Sequence, residues 1–396
     1  MQYELQINCN IPNTQNIKDA RSTMMKNDFF KEGFFDWQSV KRKKIRDKQQ
    51  YNEKLYWGGF TRDNVDEALL PDWAIGPFDK HDKPVFEPNK DAWDVGHISG
   101  GVHNGSIIKH EGYMYYIYRG EMPHELVTSQ EDSSPIEVIT DYICDIGVAR
   151  SQDGVSFERV TGPLFRHGED EKYSFEDVNC VKYGDTFYLY CNRWNFHEPL
   201  NTHESGVVVS TSKDLIIWSR PELIYKDTKQ IHRNACVIQN PNNEAVKING
   251  QFVMYLNNFL IGYSIDLIHW ESKTSIHSWP GGEGCFALSN HRGDDIVLFT
   301  GGHHSGHFYA IGEVLFNQND VTKPIAWLER PILKTDERPY ENGYDYLNPK
   351  RLVSNWRNTV FFTGMTMKDQ TWMMYYGGSE YYTCLATSKI VRGSLK

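Results

Sequence analysis

The feature that most constrains the fold is a recurrence. Five short aromatic stretches, each following a turn rich in Gly, Asp or Asn, are spread along the 396-residue chain: EGYMYYIYRG (111–120), GDTFYLYCNRW (184–194), NGQFVMYLNNF (249–259), GDDIVLFTGG (293–302) and RNTVFFTGM (357–365). Their period of roughly fifty residues is that of β-propeller blades, so five copies imply five blades. A second element follows the first: a strand ending in a small residue, then a turn of the type S-x-D-x-x-x-[FW], as in ARSQDGVSF (149–157), STSKDLIIW (210–218) and YSIDLIHW (263–270). Its Ser and Asp can close Asx- or Ser-type turns while the aromatic covers a sheet edge. The last two repeats keep only the strand, HFYAIGEVLF (307–316) and YYTCLATSKI (381–390). A β-sandwich also has closely spaced strands, but it does not repeat a two-element signature this often. The expectation is an all-β, five-bladed propeller over 64–396, preceded by an extension over 1–63 that is partly helical, for example DFFKEGFFDWQSVKRKKIRDKQQYNEKLYW.

Composition agrees with that reading. Aromatics reach 14%, with 23 Tyr and 11 Trp, which suits half-buried strands and a surface on which sugars stack. A net charge of −10 argues against phosphate backbones and anionic lipid as partners, so neither nucleic acid nor membrane is expected. The one dense basic run, Lys41, Arg42, Lys43, Lys44, Arg46 and Lys48, reads as a solvated helix face or an oligomer contact, and the extension offers a route to a homo-oligomer. The opening MQYELQINCN has no signal-peptide pattern, and no apolar run approaches the ~18 residues of a membrane span; the expected location is cytoplasmic. Seven scattered cysteines without a C-x-x-C pair read as reduced thiols. No P-loop, G-x-G-x-x-G, G-x-S-x-G or H-E-x-x-H element is present.

Propellers gather ligands where their innermost strands meet. The stretches GGVHNGSII (100–108), YSFEDVNCV (173–181), IHRNACVI (231–238), WPGGEGCFAL (279–288) and LNPKRLV (347–353) read as blade starts, and each places polar residues in or beside apolar sequence. Such placement is costly unless they face water or a ligand. Glycoside cleavage needs an acid and, with inversion, a second carboxylate about 6.5–9.5 Å away. Asp177, with Glu176 as neighbour, and Glu283, in a Gly-Gly-Glu-Gly loop, are the candidates; Glu380 is a third. A surface pair and an incidental loop carboxylate are the alternatives. Arg119 and Arg233 are cations in otherwise buried sequence, suited to a carboxylate or to ligand hydroxyls, and Asn104 can donate to and accept from a sugar diol or close a turn. His303, His304 and His307, with His291 nearby, sit in Gly-rich sequence rather than on a helix, so neither a metal nor another cofactor is expected.

The series GVHNGSII…YYIYRG, IGVARSQDGVSFE, FEDVNCVKYGDTFYLY, RNACVI…KINGQFVMY, GDDIVLFTGG…YAIGEVLF and YYGGSEYYTCLA resembles glycoside hydrolase family 130, from about Trp73 to Ala386. The resemblance implies a five-bladed propeller and a mannoside phosphorylase or β-1,2-mannosidase. The family's E-D-P-R motif, whose Asp donates a proton through a hydroxyl of the bound mannose, falls on Glu176, Asp177, Val178 and Asn179. Its sugar-binding Asn and Arg match Asn104 and Arg119, and the Asp of its Y-Y-G-A-A-D motif is replaced by Glu380. Of the cations that hold phosphate in the phosphorylases, one is kept as Arg233. The others fall on Asn179, near Asn257, in the region of Gly281 and Gly282, and on Thr300. A dianion held by a single guanidinium loses most of its charge-assisted hydrogen bonds. The expected activity is therefore inverting hydrolysis of a β-mannoside or similar oligosaccharide, with Asp177 as acid and Glu283 as base. Asn104, Arg119, Glu176, Arg233, His303 and Glu380 would bind the sugar. A phosphorylase with His303, His304 or His307 replacing the cations, and a non-catalytic glycan-binding propeller, are the alternatives.

Overall fold

The aromatic stretches become strands because Tyr, Phe, Val and Ile fit a pleated surface packed on both faces: along Tyr113–Glu121 every residue after the first is buried. The computed structural model describes residues 70–389, apart from 97–99, 123–125, 132–133, 140–142, 166–171, 196–202, 226–230, 275–276, 290–294, 305–307, 337 and 355. The extension over 1–63 lies outside the described residues, and with it the route to an oligomer.

The chain is all-β. After β1 (Asp79–Lys80), the first meander comprises β2 (Val102–His110) and β3 (Tyr113–Glu121), an inserted hairpin of β4 (Leu126–Glu131) and β5 (Ser134–Ile139), then β6 (Cys144–Ser151) and β7 (Glu158–Thr161), in the sheet order β2-β3-β6-β7. The second is β8 (Tyr173–Tyr183), β9 (Thr186–Asn195), β10 (Gly206–Ser212) and β11 (Glu222–Leu223). A nine-stranded sheet follows, made of β12 (Cys236–Gln239), β13 (Lys247–Ile248), β14 (Gln251–Tyr255), β15 (Leu260–Ser264) and β16 (Trp270–Thr274), and of β17 (Glu283–Ser289), β18 (Asp295–His304), β19 (Phe308–Asn317) and β20 (Asp320–Trp327). Its two halves join where β12 and β17 run parallel, Ile238 facing Ala287. The last meander is β21 (Val360–Lys368), β22 (Thr371–Gly378) and β23 (Tyr382–Ser388), completed by β1 from the start of the described chain. Helix is confined, among the described residues, to 3-10 turns such as Asn257–Phe259 and Pro339–Glu341. No helix there is long and apolar enough to cross a membrane.

The first strands lie side by side: β2 against β8 and β21, β12 against β8 and β17, and β17 against β21. Hydrophobic clusters fill the spaces between successive sheets. Ile117 meets Phe175, Tyr190 meets Met254, Ile238 meets Leu298, and Phe299 meets Phe362. The last sheet then returns to the first, with Tyr375 and Leu385 in one cluster with Met114 and Tyr116. Of the cysteines, Cys144, Cys180, Cys191, Cys236 and Cys384 are buried free thiols and Cys285 is half-buried.

The second repeated element takes the same geometry three times. Ser151, Ser212 and Ser264 each donate to an Asp two residues on. Those aspartates, Asp153, Asp214 and Asp266, accept two backbone N–H groups apiece at 2.7–2.9 Å. The fifth repeat is out of step with the sequence reading. RNTVFFTGM belongs to β21, a first strand, whereas the other four aromatic stretches form second strands, and its true counterpart is β22. LNPKRLV, expected to begin that blade, is irregular, with a single bridge between Tyr344 and Leu352.

Candidate active site

Four of the first strands, all but β12, share a defect. Pairing register breaks between His103 and Ser106 in β2, Glu176 and Asn179 in β8, Gly284 and Phe286 in β17, and Phe362 and Gly364 in β21. A bulge leaves a residue unpaired and re-aims its side chain. Asn104 (φ 44°), Asp177 (φ 54°) and Asn234 (φ 55°), the last just ahead of β12, take the left-handed conformation that Asn and Asp tolerate best among residues with a Cβ. The glycine after Asn104 is required sterically: a Cβ on Gly105 would sit 2.2 Å from the Ile117 carbonyl oxygen.

Because these strands are neighbours, their irregular residues line one pocket open to solvent. Asn104 and Gly105 come from β2, Asp177 and Val178 from β8, Asn234 and Ala235 from the approach to β12, Gly284 and Cys285 from β17, and Phe361, Phe362 and Thr363 from β21.

Both oxygens of Asp177 are held. Asn104 Nδ2 donates to Oδ1 at 3.0 Å, while Asn192 Nδ2 at 2.7 Å and an Arg233 nitrogen at 3.2 Å reach Oδ2. Asn192 is fixed in turn by Asn234, whose backbone N–H donates to its Oδ1 at 3.1 Å. Burial pushes the Asp177 carboxyl above the usual range and the charge of Glu176 adds to that, against Arg233, Arg119 and the Asn104 hydrogen bond.

Glu176 points the other way. It is fully buried, accepts from Trp194 Nε1 at 2.6 Å, and pairs with Arg119 at 3.2 Å and Arg233 at 3.3 Å. Arg119, also fully buried, forks between Glu176 and Glu121. Glu176 and Arg119 thus stand behind the pocket wall, bracing the groups that line it, rather than on its surface. Arg233 spans both layers and stacks 5.0 Å from the Trp194 ring.

Glu283 opens β17 opposite Gly301 and is half-exposed. Crowding by protein atoms, with Asp177 and Glu176 adding charge of the same sign, raises its carboxyl to about 7 despite Arg233. Glu380, in the turn after β22, is likewise raised to about 7 by burial, with Asp177 and Glu176 again adding to the rise and Arg119 opposing it. Glu283 and Glu380, about one hundred and two hundred residues from Asp177 in sequence, both feel its charge in the fold. The side chains of His303 and His304, and all of His307, lie outside the described residues. Among those described, no group of three or more His, Cys, Asp and Glu is arranged to hold a metal ion.

Asn192 and Asn234 escaped the sequence reading although Asn192 holds Asp177 and the two hold each other. Their signal was a polar residue inside an apolar strand run, as in LYCNRW and HRNACVI. Asn179 and Asn257, on or near which the family resemblance puts phosphate-binding cations, hold backbone groups: Asn179 Oδ1 accepts from the Val237 backbone at 3.1 Å, and Asn257 Oδ1 from the Arg233 backbone at 2.9 Å.

The model of the family glycoside hydrolase 130, described as β-1,4-mannooligosaccharide phosphorylase, matches residues 137–392. A 1,2-β-oligomannan phosphorylase of Thermoanaerobacter sp. (strain X514) is 27% identical over 314 residues, 76% of this chain and 92% of that protein. A β-1,2-mannobiose phosphorylase of the same strain is 25% identical over 320 residues, 77% of this chain and 94% of that protein. A solved structure superposes with a TM-score of 0.64 at 20% identity, covering 82% of this chain and 97% of its own. It is described as showing that the GH130 family of mannoside phosphorylases contains glycoside hydrolases that target β-1,2-mannosidic linkages in Candida mannan.

Proposed function

The chain belongs to glycoside hydrolase family 130, and from that premise we propose that it is an inverting hydrolase of a β-mannoside or a similar manno-configured oligosaccharide, with Asp177 as general acid and Glu283 as base. In this reading the meanders are the five blades of a propeller, over residues 64–396, closed by β1 pairing with β23. The substrate enters the pocket where the first strands meet. Asn104 and Glu380 grip the sugar, Asn192 and Asn234 hold the acid, and Arg119 and Glu176 brace the wall; Arg233 does both.

One observation carries the choice of hydrolysis. The two guanidiniums beside the pocket are committed to carboxylates, Arg119 to Glu121 and Glu176, and Arg233 to Glu176 and Asp177. A phosphate dianion would compete with those carboxylates for the same donors and face Glu283 and Glu380 as well. Water needs only a base, and a carboxyl near pH 7 is matched to that work. Asp177→Asn lowers kcat by the roughly 10²–10⁴ of a lost general acid, and Glu283→Gln lowers it comparably, with both variants folded. Turnover unchanged in either variant removes that residue from the mechanism.

Phosphorolysis is the second reading, favoured by the names of the two curated relatives. It predicts product only when inorganic phosphate is added, and a sugar 1-phosphate as that product.

A further inference from the structure

A line of alternating charges runs from the pocket into the wall behind it. Asp177 pairs with Arg233 at 3.2 Å, Arg233 with Glu176 at 3.3 Å, Glu176 with Arg119 at 3.2 Å, and Arg119 with Glu121. Glu121 ends β3 and is fully buried, and the proposed reaction gives it no part. Its place is prepared: a Cβ on Gly100 would lie 2.6 Å from its Oε1. Most other titratable groups packed against the line carry no charge. Burial holds the thiols of Cys144 on β6, Cys191 on β9 and Cys285 on β17, and the phenol of Tyr309 on β19, in their protonated forms. Burial, with Arg119 beside it, keeps the His103 ring on β2 neutral. Asp145 on β6 accepts from the backbone N–H groups of Ile146, Leu164 and Phe165, while Glu283 and Glu380 face the line from the pocket side.

Fully ionised, the line itself holds three negative charges against two positive, and its burial leaves that excess poorly screened. One proton removes it. Glu176 faces two guanidiniums and each end only one, so the proton settles at an end. We propose that Glu121, acting through Arg119, Glu176 and Arg233, is a positioning residue for the general acid: while Glu121 is ionised, the proton of the line stays on Asp177. The two ends then titrate as a pair. Both carboxyls lie above the ordinary range, chiefly through burial, Glu121 at about 7. The coupling needs only the line of contacts; its use in catalysis rests on Asp177 being the acid.

The test is carbon-13 NMR of the whole protein, labelled at the side-chain carboxyls of Asp and Glu, over a pH titration, with the two signals assigned by Asp177→Asn and Glu121→Gln. Glu121→Gln keeps an oxygen for Arg119 and removes the charge. Asp177 is expected to titrate lower in that variant by about one unit, the coupling at which two groups behave as a pair, and the basic limb of the kcat profile is expected to move down with it. Asp185→Asn, which removes an exposed carboxylate paired with Lys213 at the far turn of β8 and β9, is expected to leave the Asp177 titration in place. Should Glu121→Gln fail to fold, Asp177→Asn answers the same question, because coupling between two sites is reciprocal: Glu121 then titrates lower than in the unaltered protein. An Asp177 titration that stays or moves up in Glu121→Gln, a shift equally large in Asp185→Asn, or a Glu121 titration indifferent to Asp177→Asn overturns the inference. Neither titration needs turnover, so the two readings fail separately: an Asp177→Asn protein as active as the unaltered one ends the acid assignment and leaves the coupling standing.

Discussion

Asp177 illustrates how much one residue depends on its setting. In solution its carboxyl is a weak acid and useless as a proton donor near neutrality; in the pocket, burial and Glu176 raise it while Arg233 keeps it from being neutral at every pH. Arg233 restrains Glu283 in the same way. Replacing it with Met removes a stabilising positive charge from both carboxylates, so both pKa values rise, and the acid limb of the pH–rate profile, where the base must be ionised, moves to higher pH. A limb that stays in place or moves down shows that Glu283 is not the group being titrated. That Asp177 and Asn104 line the pocket was legible in the sequence, because charged or amide side chains interrupt apolar strand runs there. Asn192 and Asn234 were not: Asn234 sits beside Arg233, which drew the functional reading, and only the left-handed backbone at Asn234 and the pair's exchanged hydrogen bonds give the two away.

At the scale of elements, the Ser-x-Asp turn was read correctly as a local device, and its physics is visible. Leu215 and Leu267 hold φ of 65° and 68° within it, a conformation costing a β-carbon residue roughly 1–2 kcal/mol, and both leucines are fully buried in the spaces between sheets. The aspartate's two backbone hydrogen bonds and the serine's offset that cost. Asp214→Ala leaves the Ile216 and Ile217 N–H groups to water and is expected to lose about 1 kcal/mol of stability, read as a lower urea midpoint with an unchanged slope; no change means the turn is held by its flanking strands alone. The repeat was misaligned in the last sheet because β21 and β22 are both aromatic, VFFTGM and TWMMYYGG, and a period-2 reading cannot tell a first strand from a second. Bulges were invisible for a related reason. They break the alternation by one residue, which in sequence looks like noise, yet they aim Asn104 and Asp177 into the pocket.

For the whole molecule, closure depends on two residues, Asp79 and Lys80, pairing with β23, and on Lys80 reaching the buried Glu341 at 2.7 Å. A two-residue strand leaves almost no trace in a sequence, so the all-β class and the repeat were legible while the manner of closing was not. The fold also stores an unusual number of carboxyls whose pKa is raised by burial: Glu121, Glu283 and Glu380 to about 7, and Glu313, which accepts the Ile75 N–H, well above its ordinary value. A raised folded-state pKa stabilises the protein while the group is protonated, and that stabilisation is lost as pH rises through the folded value. The exposed turn aspartates are held low, Asp153 and Asp214 chiefly by their backbone hydrogen bonds and Asp266 by the His269 side chain and then by the backbone, and act in the opposite sense, losing stability as pH falls below the ordinary carboxylate range. Thermal stability is thus expected to peak near the ordinary carboxylate range and to fall between about pH 4.5 and 7. A melting temperature that climbs across that range contradicts the raised pKa of these glutamates.

The account as a whole rests on water, activated by Glu283, attacking the face of the sugar opposite the proton delivered by Asp177. Proton NMR of the first-formed product from β-1,2-mannobiose, in phosphate-free buffer and again with phosphate added, reads that directly. The predicted result is the α-anomer of the free sugar, formed at the same rate with or without phosphate. A sugar 1-phosphate appearing only with phosphate, or a β-anomer formed first, would contradict it.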